Sequence, residues 1–399
     1  MTDPSPLPVI RMRPNKSPQR IRFGAPWIFK DEIVLDRRAR KLSAGSIVEL
    51  QANDGERLGL CAFNADSRIS CRMLDRDLDA DIGPEWLQSR LQTALDLRAR
   101  LFPEPFYRLI HAEADGLPGV IIDRYGDVAV IQPNAAWADT RIEELSEALV
   151  LVTGVTTVVK NGASRARKLE GLPEEVVVIK GKIDGPVPVL MNGATYFADV
   201  LGGQKTGLFF DQRYNHAFAA GLAKDQSVLD VFSHVGGFGL AALANGAKSA
   251  LMIDGSAPAL ELAAKGAEAS GHTDKFASTK GDAFDMMAEM ASQGQKFGLV
   301  VCDPPAFAPA KPALEAGLRA YERVARMGAS LVEPGGYLVV CSCSHAVDLA
   351  RFREVSIRGI GKSRRTAQLI HTGSAGPDHP THAHLAESSY LKALTFRLI

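Results

Sequence analysis

Two thiols and a series of carboxylates at regular intervals are the residues of this chain that could do chemistry. Cys341-Ser342-Cys343-Ser344-His345 closes the apolar run 336–340, and serines stand beside the sulfurs where a packed core would carry aliphatics. A thiolate in such a place is a nucleophile able to add to an electron-poor centre. Upstream, Asp254 ends the run 250–253, Asp282 follows Gly281, and Asp303 opens Asp303-Pro304-Pro305 after the run 297–302. Proline fixes φ and has no N–H, so Asp-Pro-Pro holds a carboxylate and its neighbouring carbonyls rigidly. Cys302, inside an apolar run, reads as core.

Chemistry at these positions needs a scaffold that gathers them, and the stretch 227–246 supplies its first piece. Val228, Leu229, Val231 and Phe232 are β-formers, Gly236 and Gly237 permit a tight turn, and 240–244 is helical up to the C-cap pair Asn245-Gly246. Strand, glycine turn and helix open a βαβ unit whose helix N-terminus faces a nucleotide-like ligand. Asp254, about twenty residues on, is placed to chelate a ribose diol. By itself that fits NAD and S-adenosylmethionine equally. The later acids decide between them. Ser233 to Gly237 beside a methionine moiety, Asp254 at the ribose and Asp282 near the adenine follow in order along successive strands, and a dehydrogenase has no use for Asp-Pro-Pro. Methyl transfer from S-adenosylmethionine is therefore expected, with the thiols facing the same carboxyl-end crevice.

The rest of the chain is 399 residues of balanced composition, with 46 basic and 46 acidic side chains and 46% hydrophobic residues. Such a chain is globular with two or three domains, and any nucleic-acid site must be a local patch rather than an overall basic field. An odd number of cysteines without a Cys-x-x-Cys pair argues against a disulfide framework or zinc. No apolar leader opens the sequence and no run reaches membrane length, so a cytoplasmic, membrane-free protein is expected. Short strands around 47–50 and 58–63 predict a small β-barrel, preceded by a basic and aromatic cluster, Arg11, Arg13, Lys16, Arg20, Arg22, Phe23, Trp27 and Lys30. A helix is expected from Pro84 to about Leu101, with Leu87, Leu91, Ala94, Leu95 and Leu101 on its apolar stripe and Arg98 and Arg100 on a wet face. The loop 111–119 and hairpin 120–132 follow, the loop's His111, Glu113 and Asp115 reading as a polar turn over a sheet. Then comes a basic loop, 161–168, whose Arg165 and Arg167 are candidate RNA contacts. A helix over 346–359 and antiparallel closing strands at 364–371 and 388–398 complete the pattern. His371, His379, His382 and His384 lack thiols or acids at ligand spacing, so no metal is assigned.

Several motifs together resemble the bacterial 23S ribosomal RNA cytosine-C5 methyltransferases that carry an N-terminal PUA domain. They are Gln204-Lys205-Thr206-Gly207 through Asp211-Gln212-Arg213, His111-Ala112-Glu113-Ala114-Asp115-Gly116-Leu117-Pro118-Gly119 with Asp123-Arg124-Tyr125-Gly126, Asp303-Pro304-Pro305 with Phe307, Ser342-Cys343-Ser344, and Asp378-His379-Pro380. The sequence departs from the family where Val235 replaces a usual Thr and Ala306 a common Lys. The resemblance implies an α/β fold: a PUA-like RNA-binding domain over 1–78, a linker helix and small α/β domain over 79–188, and a class I, Rossmann-like methyltransferase domain over 189–399. It adds Phe210, Gln212 and Arg213 to Ser233, Gly236, Asp254, Asp282 and Asp303 as cofactor contacts. It also chooses Cys343 over Cys341 as nucleophile, a choice that period-two strand geometry leaves open. Asp303 is the expected partner of the cytosine edge, and Arg22, Trp27, Arg165, Arg167 and Phe307 the expected substrate contacts. Ribosomal RNA of the large subunit is the expected partner, with a homodimer left open. An RNA amino-methyltransferase and a catalytically silent RNA-binding protein are the alternative readings.

Overall fold

Runs that are apolar at every position must be buried on both faces, which a parallel sheet between two helical layers provides. In the computed structural model, which describes residues 7–202 and 207–399, four largely apolar runs, a more polar edge strand and two closing strands form one seven-stranded sheet. Its strands are β1 (Ser227–Val231), β2 (Ser249–Asp254), β3 (Phe276–Lys280), β4 (Phe297–Cys302), β5 (Val332–Ser342), β6 (Ala367–Gly373) and β7 (Lys392–Leu398). Their order is 3-2-1-4-5-7-6. Strands β1 to β5 pair in parallel, whereas β7 lies antiparallel between β5 and β6. The core combines Leu229, Val231, Val300, Cys302, Leu338 and Phe396 of the sheet with Tyr321, Val324 and Phe352 of the helices Leu314–Leu331 and Leu349–Lys362. The order reverses direction between β1 and β4, which opens a crevice at their carboxyl ends.

The helix expected from 346 begins three residues later, at Leu349, where Asp348 caps it by accepting the Arg351 N–H at 2.8 Å. The delay has a cause. Lys392 Nζ donates to the carbonyls of Ser344 and Val347, both at 2.7 Å, and those carbonyls are thereby fixed in a turn.

Contacts divide the chain into two units. The second, just described, takes Pro186–Asp199, Leu208–Pro377 and Glu387–Ile399. The first takes the described residues of Met1–Gly185 and Val200–Gly207 together with Asp378–Ala386. It holds a five-stranded sheet around Ser46–Gln51, Arg57–Phe63 and Cys71–Asp75, and another running from Phe106–His111 to Val176–Lys180. Polar bonds join them. Arg72 pairs with Glu113 at 2.9 Å and Glu170 at 3.1 Å, and Asn64 donates to Glu170 at 3.0 Å.

Two features of this unit correct the sequence reading. Arg98 is not on a wet face: it is fully buried, bidentate to Asp115 at 2.6 and 2.7 Å, and donates to the Asp378 carbonyl at 2.9 Å. Leu101, assigned to the apolar stripe, is exposed. The loop around Asp378 is tied down within the same unit. Asp378 accepts the Arg108 N–H at 3.1 Å and pairs with His379 at 3.0 Å, and both side chains are buried.

Candidate active site

The turn after β1 is strained where it would meet a ligand. Phe232 (φ 63°) and His234 (φ 51°) take the left-handed conformation that costs a residue with a Cβ about 1–2 kcal/mol, a pattern that marks functional turns. Among the bonds that hold it, Ser233 N donates to Ile253 O at 3.0 Å, Gly236 N to Ser233 O at 2.8 Å, and His234 N to Asp254 Oδ2 at 2.8 Å. The Asp254 Oδ1 accepts the Ser256 N–H at 2.8 Å, so each carboxylate oxygen is oriented and keeps a further lone pair. Gly236 (φ 81°) leaves no space for a side chain, because a Cβ there would lie 2.8 Å from Met252 Sδ.

Asp230 was missed among the β-formers of β1. It is fully buried, one oxygen accepts Gly239 N–H at 2.8 Å, and the other has no partner among the described residues. Burial pushes its carboxyl up to about 7, with Asp303 and Asp254 adding in the same sense and the Gly239 N–H opposing. A donor on the methionine end of S-adenosylmethionine would satisfy that orphaned acceptor. With the oriented Asp254, it makes the residues present fit the cofactor. The signal was available: one acid in the middle of a fully apolar strand. Asp282, by contrast, is exposed and caps the helix Ala283–Ser292 through the N–H groups of Phe284 and Asp285 at 2.9 and 3.1 Å.

At the end of β4, Asp303 N donates to Val231 O at 3.2 Å, which sets Asp-Pro-Pro beside the glycine turn. Its carboxylate accepts from Gln212 Nε2 at 2.9 Å, and Asn215 Nδ2 holds Gln212 Oε1 at 2.6 Å. Gln212 and Phe210 are buried in the short turn Phe210–Gln212, with the Arg213 guanidinium 5.6 Å from the Phe210 ring centre. Gln204, Lys205 and Thr206 lie outside the described residues.

The two thiols differ. Cys341 is fully buried in β5, where burial foremost raises its pKa and keeps the thiol protonated. Cys343 is half-buried and stands past the last residue of β5, Ser342. The flanking serines secure this end: Ser344 N donates to Ser342 Oγ at 3.3 Å, and Ser344 Oγ accepts Ala308 N–H at 3.0 Å and meets Tyr321 Oη at 2.7 Å. Phe307 packs 5.0 Å from the Tyr321 ring and 6.3 Å from Phe284. Lys392, which sequence reasoning passed over, sits under the same turn.

The expected RNA contacts are in the first unit, and cis pairing reduces them. Arg22 is exposed but pairs with Glu56, as Lys16 does with Asp31 at 2.7 Å and Arg20 with Glu32 at 2.9 Å. Trp27 donates its indole N–H to Glu113 at 2.7 Å and lies under Arg72, 5.9 Å from the ring centre. Arg165 is exposed at the start of the helix Arg165–Leu169. Arg167 is not a surface contact. It is fully buried, bonded to Asp139 at 2.8 Å and to the carbonyls of Pro133 and Pro173.

Sheet order, glycine turn and strand-end acid define a class I methyltransferase. The family described as S-adenosylmethionine-dependent methyltransferase matches residues 177–397, and a PUA-like domain matches 10–76. Ribosomal RNA large subunit methyltransferase I of Aliivibrio fischeri (strain MJ11) is 36% identical over 95% of this chain and 96% of its own length. The protein of the same name from Vibrio vulnificus (strain CMCP6) is 34% identical over 94% and 95%. The chain belongs to the S-adenosylmethionine-dependent methyltransferase family that these proteins represent, and S-adenosylmethionine is its cofactor. Among solved structures, a SAM-dependent methyltransferase from Streptococcus mutans shares the fold at 17% identity, with a TM-score of 0.80 over 98% of this chain and 100% of that one. A methyltransferase crystallised with SAH gives the same TM-score at 18% identity and the same coverage.

Proposed function

We propose that this chain methylates C5 of a cytosine in 23S ribosomal RNA through a covalent adduct of Cys343. Support for the RNA comes from the relatives' names and the PUA-like match. The observation that carries the chemistry is the contrast between Cys341, sealed in β5, and Cys343, half-buried at its carboxyl end beside the Asp303 strand. Cytosine C5 is a poor nucleophile. Attack of the Cys343 thiolate on C6 forms S–C6 and moves the C5=C6 pair onto C5. Bound S-adenosylmethionine supplies the electrophilic methyl group that C5 takes up. Loss of the C5 proton to a base then restores C5=C6 as the C6–S pair returns to sulfur. Asp303, held by Gln212, is the partner of the cytosine N3 and N4 edge and polarises the ring as the adduct forms. Asp254, Ser233, Gly236 and Asp282 hold the cofactor, with Phe210, Gln212 and Arg213 beside them. Residues 1–78 are proposed as the RNA-docking domain, 79–188 as the middle domain and 189–399 as the catalytic one. Arg22, Trp27 and Arg165 are the docking contacts, and Phe307 the contact in the crevice.

The test uses tritiated cofactor and ribosomal RNA, with nucleoside analysis of the product. RNA carrying 5-fluorocytosine cannot release its C5 substituent, so the wild-type enzyme and Cys341→Ala should give a protein–RNA species stable on a denaturing gel. Cys343→Ala should give none and methylate nothing. Trapping by Cys343→Ala, or its loss in Cys341→Ala alone, sinks the assignment, and a product methylated on the exocyclic nitrogen replaces it.

A further inference from the structure

A buried ammonium among apolar neighbours is a poor choice for packing, and β7 carries one beside the proposed nucleophile. Lys392 stands directly across from Ser342 in the β5–β7 ladder, one residue before Cys343. Its neighbours Leu391, Ala393 and Leu394 are buried and apolar, and Lys392 itself is 7% exposed. Desolvating a charge at such a position is unfavourable unless an opposite charge answers it. Two of its three N–H donors go to neutral acceptors, the Ser344 and Val347 carbonyls at 2.7 Å, in the turn that Cys343 opens. The acidic groups that face it are the Cys343 thiol and the Asp348 carboxylate. Asp348 is exposed and already occupied as a helix cap. Tyr321 and Cys341, which also face Cys343, are held protonated by burial and bring no charge of their own.

We infer that Lys392 is a positioning residue that answers the negative charge of the Cys343 sulfur and keeps it in its reactive, anionic form. The inference rests on the proposed role of Cys343 as nucleophile. Lys392 touches neither base nor cofactor in this scheme. It balances the thiolate before addition to C6 and again when sulfur is expelled, and its bonds to Ser344 and Val347 fix the turn from which the thiolate reaches out. Burial brings the ammonium down to about 8, with Cys343 and Asp348 drawing it back up.

Iodoacetamide labelling of the intact protein, read on the Cys343 peptide by mass spectrometry between pH 5 and 10, tests the pair without RNA or cofactor. In the wild type the labelling midpoint should fall below the free-thiol value of about 8.5. In Lys392→Met it should rise by about one unit, slowing labelling at neutral pH about tenfold, while Lys392→Arg keeps the low midpoint. The acid limb of the methylation pH profile should move with it. An unchanged midpoint in a folded Lys392→Met overturns the inference. If that variant does not fold, a wild-type midpoint at or above the free-thiol value overturns it equally. Methylation retained by Cys343→Ala, with the midpoint shift still present, would remove the nucleophile and leave the ion pair standing.

Discussion

Asp254 takes one backbone N–H on each oxygen, an arrangement that fixes the carboxylate plane before any ligand arrives. A ribose diol meeting it pays little reorganisation. Charge-assisted hydrogen bonds contribute about 1.5–3 kcal/mol each, so losing the two to the diol in Asp254→Ala should weaken S-adenosylmethionine binding about a hundred- to ten-thousandfold by calorimetry. Unchanged affinity would assign the ribose elsewhere. At this scale the sequence was legible where a residue type matched its surroundings: acids at strand ends, glycines at a turn. It misled where a charge was buried. Arg98 follows Leu91 and Ala94 at helical spacing and so lies on the apolar stripe, yet its type suggested solvent. Arg167 and Lys392 repeat the lesson, because the acceptors that make their burial tolerable come from distant parts of the chain.

Strand, turn and helix at 227–244 work as one element, and the element tolerates no side chain at its pivot. Gly236→Ala must place a Cβ at φ 81° and against Met252. We expect a stability loss of about 1–2 kcal/mol in urea unfolding and weaker cofactor binding than in the wild type. An alanine variant with wild-type affinity would show that the turn does not approach the ligand. Elements of this kind were readable in advance because β-formers, glycines and an alanine-rich run agree locally. The start of the last helix was not, since the bonds that hold 344–347 out of it come from β7, some forty-five residues away.

For the whole molecule, two histidines, His216 buried and His111 half-buried, predict acid lability. Burial first, then the charges of Arg108, His379 and Arg98, push His111 down to about 2, and burial pushes His216 to about 3. An unfolded histidine titrates near 6.5, so between the two values the unfolded chain binds protons that the folded chain refuses. Stability is therefore fully present above about 6.5 and falls with pH below it, by up to about 1.4 kcal/mol per pH unit for each group. The drop in urea midpoint from pH 7 to 5 should be smaller in His111→Asn than in the wild type. An equal drop would mean that His111 is protonated without penalty. Nothing in composition announced this arrangement, because His111 and its neighbours His379 and Asp378 are far apart in sequence.

That last contact bears on how such a protein could be divided. Asp378–Ala386 leaves the methyltransferase sheet between β6 and β7, joins the first unit, and returns. A gene cut near Gly185 would give an amino-terminal fragment in which Arg98 loses the Asp378 carbonyl and the Arg108 N–H loses its carboxylate. Complementation by co-expressed halves should therefore restore what neither half has alone. Exchange of the first unit between homologues by a single crossover would carry the wrong closing loop with it. The first unit can be swapped only together with residues 378–386, which makes the chain one unit of inheritance despite its two compact units.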